Sequence, residues 1–178
     1  MAIAVAVAGK IGSGKTTITK CLAKVLGWPC ASFGDYVRSV ARDCGQSQGR
    51  EHLQNLGTQL LRSDPHDFCR AVLSTAAWTP GDSVIIDGLR HTETIEILRE
   101  IVSPAVLKIV LISVSEEIRL RRLKERGEGD ETAVAIAEAH SSEQEVASGL
   151  SAFADLVIDG DKQRDAVVTE LTSWIRNQ

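Results

Sequence analysis

The segment GKIGSGKTT, which begins at Gly9, has residue types and a spacing that suit the binding of phosphate groups. Its glycines permit backbone conformations that are closed to residues with a Cβ, so successive N–H groups can converge on phosphate oxygens. Lys15 can reach the β and γ phosphates of a triphosphate, and the Thr16 hydroxyl can ligate a bridging Mg²⁺. The segment satisfies G-x-x-x-x-G-K-[ST] and is predicted to be a phosphate-binding loop, or P-loop. Nucleotide contacts are predicted from Gly9, Gly12, Ser13, Gly14, Lys15, Thr16 and Thr17.

A strand before the P-loop and a helix after it must hold these N–H groups in place. The apolar run Ala2 to Ala8 predicts the strand, and Thr16 to Leu26, stopped by Gly27, predicts the helix. Other apolar runs predict strands at Cys30 to Phe33, Ser83 to Asp87, Ala105 to Val114 and Asp155 to Asp159. Helices are predicted at Asp35 to Cys44, Arg50 to Arg62, from Asp64-Pro65 onward, Glu93 to Val102, Glu117 to Arg126, Glu131 to Ala147 and Lys162 to Ile175. The expected fold is α/β, a five-stranded parallel sheet with helices on both faces in the three-layer P-loop NTPase arrangement.

The composition of the 178 residues fits one globular domain, with 43% apolar and 25% charged side chains. The net charge is -4, and the three Trp, one Tyr and three Phe are too few for a base-stacking platform, which argues against general nucleic-acid binding. The longest uncharged apolar run is far shorter than the roughly 18 residues that a membrane span requires. A cytoplasmic protein is expected, with four reduced and mostly buried cysteines.

A P-loop occurs in switches, motors and kinases, so other residues must decide among these classes. A GTP-reading Asn-Lys-x-Asp motif is absent, because lysine follows neither Asn55 nor Asn177. The run VIID ends in Asp87 and is followed by Gly88, where motor and helicase ATPases usually have a glutamate that activates water. These absences favour phosphoryl transfer to a substrate over hydrolysis.

Asp87 and several arginines are the candidate catalytic residues. Because Asp87 ends an apolar strand, its carboxylate is expected beside the P-loop, holding Mg²⁺ through water. Arg38 and Arg90 follow strand ends, where open α/β sheets bind ligands. Guanidinium groups suit such a site because each can bind two phosphate oxygens at once. One face of the helix after the fourth strand carries Arg119, Arg122 and Arg126.

Four segments follow the P-loop in an order that resembles the nucleoside monophosphate kinases of the adenylate kinase type, and more closely compact nucleotide-kinase-like proteins similar to dephospho-coenzyme A kinases. They are ASFGDYVR, VIIDGLR, EEIRLRRLKERG and ADLVIDGDKQRDAVVTEL. The resemblance implies an ATP- and Mg²⁺-dependent kinase whose small-molecule acceptor is a nucleoside or deoxynucleoside monophosphate. The implied catalytic residues are Lys15, Arg38, Asp87, Arg90, Arg122 and Arg126, and the implied acceptor-binding residues are Asp35, Arg38 and Arg90.

The chain also departs from the adenylate kinase pattern. Thr94 stands where that family has a glutamine that reads adenine, which argues against AMP as the acceptor. Phe33 replaces the usual threonine, and a core role is favoured for it over a place in an acceptor-base pocket. A helical acceptor-binding insert is expected at about residues 35–79 and a short lid at about residues 127–148. Weaker candidates for acceptor contacts are Arg50, Gln54 and Gln59.

Two other functions are compatible with the same residues. A kinase of a hydroxyl compound such as dephospho-coenzyme A would use Asp35 as a general base, because a hydroxyl must lose a proton and a phosphate anion need not. Alternatively, Asp35 only places a negative charge in the first turn of its helix. A dimeric ATP-gated switch is the third hypothesis, because Lys10 occupies the place of the additional lysine of partitioning ATPases, although Ile11 replaces the second glycine of that pattern.

Overall fold

A computed structural model describes residues 1–127 and 149–178 of the chain. These residues form an all-parallel five-stranded sheet in the order β2-β3-β1-β4-β5. The strands are β1 (Ile3–Ala8), β2 (Cys30–Ser32), β3 (Val84–Leu89), β4 (Val106–Ser113) and β5 (Leu156–Asp159). The helices within the described ranges are α1 (Lys15–Leu26), α2 (Phe33–Asp43), α3 (Arg50–Ser63), α4 (Pro65–Ser74), α5 (Thr94–Val102), α6 (Glu116–Glu125) and α7 (Arg164–Arg176). The predicted α/β class is confirmed, while the helix predicted at Glu131 to Ala147 and nearly all of the predicted lid lie outside the described residues.

The central strand β1 is buried on both faces, which explains its uninterrupted apolar run. Its odd-numbered residues, including Val5, pack with α1 and α7, and its even-numbered residues, including Ala6, pack with α4 and α5. Side chains alternate between the two faces of a strand, so one short segment serves two hydrophobic clusters. The helices therefore cover both faces of the sheet, as the composition of the strands predicts.

The helix boundaries follow from local capping chemistry. Gly27, with a φ of 67°, ends α1, and the Asp64 carboxylate accepts a hydrogen bond of 2.8 Å from the Asp67 N–H at the start of α4, as predicted. Several predicted boundaries were wrong by one or two residues: β3 runs past Asp87 to Leu89, and the last helix begins at Arg164 instead of Lys162. Phe33 was predicted to end β2 but begins α2. The Ser32 hydroxyl accepts a hydrogen bond of 3.2 Å from the Asp35 N–H, and this cap starts the helix two residues before its predicted beginning at Asp35.

The carboxyl ends of β1, β2 and β3 lie together at one edge of the sheet. Asp87 on β3 is in register with Val7 of β1 on one side and with Ser32 of β2 on the other. The P-loop leaves β1 at this edge, α2 leaves β2, and Arg90 follows β3. Parallel pairing therefore brings the P-loop, the start of α2 and the segment after β3 to one place, where ligands of open α/β sheets bind.

Among the described residues, none of the helices has both the length and the apolar composition that a membrane span requires.

All four cysteines are unpaired thiols, but only Cys69 is fully buried and Cys44 is exposed, so the prediction of mostly buried thiols was wrong. Burial raises the pKa of Cys69 to about 12, and burial together with the negative charges of Asp87 and Asp35 raises the pKa of Cys30 to about 11. Both thiols are therefore protonated near neutral pH.

The turn after β5 packs so closely on β4 that its glycine has no room for a side chain. A Cβ at Gly160 would lie 2.7 Å from methyl groups of both Ile112 and Val114. We expect Gly160→Ala to lower the free energy of unfolding by about 1–3 kcal/mol, because these strand side chains must shift. Urea denaturation measures this change.

The matched control is Gly57→Ala in α3, where the added methyl would lie 3.6 Å from the nearest side-chain atom, a Val37 methyl. This variant should be as stable as the wild type or up to about 1 kcal/mol more stable, because alanine favours helix. Equal midpoints for Gly160→Ala and the wild type would contradict the close packing of the turn.

Candidate active site

The P-loop has the backbone geometry of an anion-binding loop. Gly12 and Gly14 have φ values of 79° and 83°, in the left-handed region that glycine adopts without strain. The loop is closed by a hydrogen bond of 3.0 Å from the Ser13 N–H to the Lys10 carbonyl. Within the described structure no side chain caps the start of α1, which begins with Gly14 as its N-cap residue. This arrangement fits phosphate at the positive end of the helix.

Asp87 is the buried acidic group of the site, with only 3% of its surface exposed. Its Oδ2 accepts hydrogen bonds from the Thr16 hydroxyl at 2.9 Å and from the Ser32 hydroxyl at 3.4 Å. Its Oδ1 is buried and has no hydrogen-bond partner in the described part of the chain. A buried carboxylate oxygen without a partner is energetically costly, so the site is suited to a cation.

The donor set fits Mg²⁺ bound together with a triphosphate. Thr16 and Asp87 offer hard oxygen atoms, which Mg²⁺ prefers, and they lie within hydrogen-bond distance of each other. Within residues 1–127 and 149–178, no group of three or more His, Cys, Asp or Glu side chains could hold a metal alone. Phosphate and water oxygens would therefore complete the coordination. A bound Mg²⁺ would neutralise charge on the phosphate oxygens.

The cleft is a cavity of about 930 Å³ that runs from the P-loop to the face of α3. Its lining includes five positively charged side chains and one acidic side chain, Glu51, although the whole chain has a net charge of -4. The positive residues are Lys15, Arg38, Arg50, Arg90 and Arg126. Clustered cations focus a positive potential in a concave site and attract anionic ligands. The cleft is therefore built for a ligand, or a pair of ligands, with several negative charges.

The predicted nucleotide-contacting residues divide into two groups. Gly12, Gly14, Lys15, Thr16 and Thr17 line the cleft. Gly9 and Ser13 are not among the lining residues, and Ser13 is 1% exposed, with its side chain packed against Gly9. These two residues pack against each other within the P-loop and do not line the cleft.

Two of the predicted acceptor-binding residues, Arg38 and Arg90, line the cleft. The guanidinium of Arg38 forms an ion pair with Asp35 one helical turn earlier, and about half of each side chain is exposed. It also lies over Gly34, where a Cβ would be 3.3 Å from its Nη2. Asp35 is not itself among the lining residues, but it adjoins the lining residue Gly34 and holds Arg38. Arg38 is thus positioned by a carboxylate in the described structure.

Three arginines, two in α6 and one directly after it, have different environments. Arg126 lines the cleft. Arg122 is not among the lining residues and donates hydrogen bonds to the carbonyls of Ser13, at 3.2 Å, and Gly160, at 2.9 Å. Arg119 is 4% exposed and lies behind the P-loop, where a Cβ on Gly12 would be 2.9 Å from its Cγ. Arg119 and Arg122 therefore support the loop in this structure, whereas Arg126 faces the ligand space.

Several site residues were not predicted. Ser32 both caps α2 and contacts Asp87, and the signal that could have identified it is its place at the end of a strand next to β3. Phe33 was expected in the core, and it is buried but also lines the cleft. Of the weaker candidates, Arg50 and Gln54 line the cleft, whereas Gln59 is exposed and lies outside it. A full set of α3 residues faces the cleft: Arg50, Glu51, Leu53, Gln54, Gly57 and Thr58.

Comparison with known proteins shows one family match, related sequences and solved structures with the same fold. Residues 5–146 match the family described as AAA domain. A UPF0200 protein of Pyrobaculum aerophilum is 30% identical over 126 residues, which cover 71% of this chain and 67% of the relative. A gluconokinase from Sinorhizobium meliloti superposes with a TM-score of 0.64 at 16% identity over 98% of this chain and 92% of its own. A shikimate kinase from Bacteroides thetaiotaomicron superposes with a TM-score of 0.62 at 17% identity over 98% of each chain. These similarities identify a P-loop kinase-like fold and do not single out the adenylate kinase type.

The contact between Asp87 and Thr16 leads to a test of Mg²⁺ binding. We expect Asp87→Asn to lower the affinity for ATP at least about tenfold in the presence of Mg²⁺, because an anionic metal partner is lost. Without Mg²⁺ the affinity should change less than about twofold. Isothermal titration calorimetry with and without Mg²⁺ measures both values. Asp82→Asn, at an exposed position before β3, is the matched control. If Asp87→Asn binds ATP with Mg²⁺ as tightly as the wild type, Asp87 does not hold the cation.

Proposed function

The chain belongs to the AAA domain family, and from this premise we propose that it is an ATP- and Mg²⁺-dependent phosphotransferase acting on a nucleoside or deoxynucleoside monophosphate. The observation that carries the proposal is that one cleft contains both the P-loop and the arginines that follow β2 and β3. Phosphoryl transfer requires two anionic reactants in contact, and a shared positive cavity reduces their repulsion and holds them together.

The P-loop end of the cleft suits the triphosphate donor. The positive end of α1 and the side chain of Lys15, which lines the cleft, would bind phosphate oxygens there. Thr16 and Asp87 lie beside them, where the metal that accompanies ATP would bind. The burial of Asp87 and its hydrogen bonds to Thr16 and Ser32 fix the position of its carboxylate before a ligand binds.

The part of the cleft lined by α2, α3, α4 and Arg90 suits an acceptor that is both anionic and partly apolar. Arg38 and Arg90 supply positive charge. Beside them, apolar side chains from α2, α3 and α4 line the wall: Phe33, Val37, Leu53 and Phe68. A nucleoside monophosphate matches both features, because its phosphate pairs with arginine and its base covers apolar surface.

The reaction itself needs no proton removal when the acceptor is a phosphate. An acceptor phosphate oxygen forms a bond to the γ-phosphorus of ATP, the bond from that phosphorus to the β–γ bridging oxygen breaks, and ADP leaves with the electron pair. Negative charge moves along this axis, and cations on both sides stabilise it. In our proposal Lys15 and Arg126 act at the transferred group, and Arg38 and Arg90 hold the acceptor. Arg122 is proposed to act there as well if it leaves its carbonyl partners.

A hydroxyl acceptor is the second candidate, favoured by the position of Asp35. Its carboxylate lies in the first turn of α2, beside the cleft residue Gly34, and is paired with Arg38. In this alternative the carboxylate takes the hydroxyl proton while the hydroxyl oxygen attacks the γ-phosphorus. Two proteins of the same fold are named for acceptors that are not nucleotides, gluconokinase and shikimate kinase. The dimeric switch built on Lys10 stays a prediction.

The acceptor class can be tested by ADP release. We expect a nucleoside or deoxynucleoside monophosphate to stimulate ADP release at least about tenfold over ATP and Mg²⁺ alone, because only the acceptor completes the reacting pair. A coupled spectrophotometric assay over a nucleotide panel, with gluconate, shikimate and dephospho-coenzyme A alongside, measures this stimulation. Lys15→Ala is the inactive control. No stimulation by any nucleotide would contradict the nucleotide kinase proposal.

Asp35 distinguishes the two mechanisms. For a phosphate acceptor, Asp35→Asn should keep kcat within about threefold, because no proton has to be removed. For a hydroxyl acceptor, kcat should fall about 100-fold or more, since general base catalysis typically contributes that much. Steady-state kinetics with the accepted substrate measures kcat. Asp43→Asn at the end of α2 is the control, and a 100-fold loss with a nucleotide acceptor would show that our account of Asp35 is wrong.

A further inference from the structure

The face of α3 on the cleft contains a glycine in the middle of the helix. Residues of α3 that line the cleft recur with helical spacing, at Arg50, Leu53, Gln54, Gly57 and Thr58. Gly57 lies in the interior of this 14-residue helix, with side chains before and after it along the same face. Because glycine has no side chain, the backbone of α3 itself forms the wall of the cleft at Gly57, and we call this position the gap.

The packing of the protein does not require a glycine at this position. Gly57 is not among the residues with positive φ. A Cβ there would have one neighbour within 4 Å, a Val37 methyl at the ordinary contact distance of 3.6 Å. Alanine is also the better helix former, so local propensity disfavours the residue that is present. The backbone conformation does not explain the glycine, and an alanine side chain would only reach ordinary contact with Val37. Gly57 also lines the cleft, so a side chain at this position would take up space there.

The surroundings of the gap are apolar. Val37 is the nearest side chain, and Phe33, Leu53 and Phe68 line the same cleft. The rings of Phe33 and Phe68 are packed edge to face, with centroids 5.3 Å apart, so this wall is held in place before a ligand binds. Gln54 and Thr58 flank Gly57 with polar groups. A flat ligand with an apolar face and polar edges matches this combination.

We propose that Gly57 determines acceptor size by leaving a slot in which the base of the acceptor nucleotide packs against the bare backbone of α3. This inference rests on the proposed function and adds to it the position of the base. The phosphate of the same acceptor then lies toward Arg38 and Arg90. Substitution of Gly57 by a larger residue narrows the slot without disturbing the P-loop.

The test uses the full chain with Gly57→Ala and Gly57→Leu, and Gln59→Ala as the matched control on the exposed side of α3. The accepted nucleoside monophosphate is the substrate, and ribose 5-phosphate, which has the anionic sugar but no base, is the competing probe. We expect Gly57→Ala to raise the acceptor KM about tenfold and Gly57→Leu to raise it further, because the added atoms occupy the slot. The KM for ATP and the inhibition constant of ribose 5-phosphate should stay within about twofold.

Thermal unfolding separates this effect from damage to the fold. The Tm of Gly57→Ala should equal that of the wild type or exceed it by about 2–4 °C, because alanine favours the helix. If Gly57→Leu does not fold, the alanine variant decides the result.

An acceptor KM equal to that of the wild type in Gly57→Ala would overturn the slot and leave the kinase proposal intact. A parallel weakening of ribose 5-phosphate would show that the gap does not hold the base. If the wild-type chain phosphorylates no nucleotide, the proposed function fails and the slot fails with it.

Discussion

The buried carboxylate of Asp87 is the interaction on which the rest of the site depends. A charge with 3% exposure is stable in a protein only when polar groups compensate it, and here the hydroxyls of Thr16 and Ser32 do so. Thr16 belongs to α1 and Ser32 ends β2, so the Asp87 side chain links β3 to the start of α1 and to the end of β2. Its second oxygen stays buried without a described partner, which is why the same group is suited to a cation.

The P-loop is supported from behind by the neighbouring helix α6. Arg119 packs beneath Gly12, and Arg122 links the Ser13 carbonyl to the Gly160 carbonyl in the turn after β5. The Ser13 carbonyl points away from the cleft, and the guanidinium of Arg122 can satisfy it because a guanidinium carries several donors. The positive charge of α6 therefore stabilises the loop at the back, while Lys15 and Arg126 supply charge at the front.

The proposed acceptor site is assembled from parts that are distant in sequence. Arg38 is held by Asp35, Arg90 follows β3, and the apolar wall comes from three helices. In the proposed function the donor site depends on the sheet edge and the P-loop, whereas the proposed acceptor wall depends on helix faces that can change without affecting that edge. The proposed choice of a nucleotide rests on the apolar part of this wall.

The sequence by itself determined the P-loop, the α/β class and the meeting of Asp87 with Thr16. These features follow from local spacing and from the rule that parallel strands end at a common edge. Only the tertiary structure decided which side chains face the cleft, because that depends on how each helix is rotated against the sheet. Arg122 and Arg126 were predicted to share one helical face, but α6 ends at Glu125; Arg122 binds backbone carbonyls and Arg126 lines the cleft. The place of Phe33 also depended on the fold, because the cap formed by Ser32 at the end of β2 begins a helix at Phe33. The gap at Gly57 likewise became visible only when α3 was packed against α2, since a glycine within a helical pattern does not show which surface it leaves open.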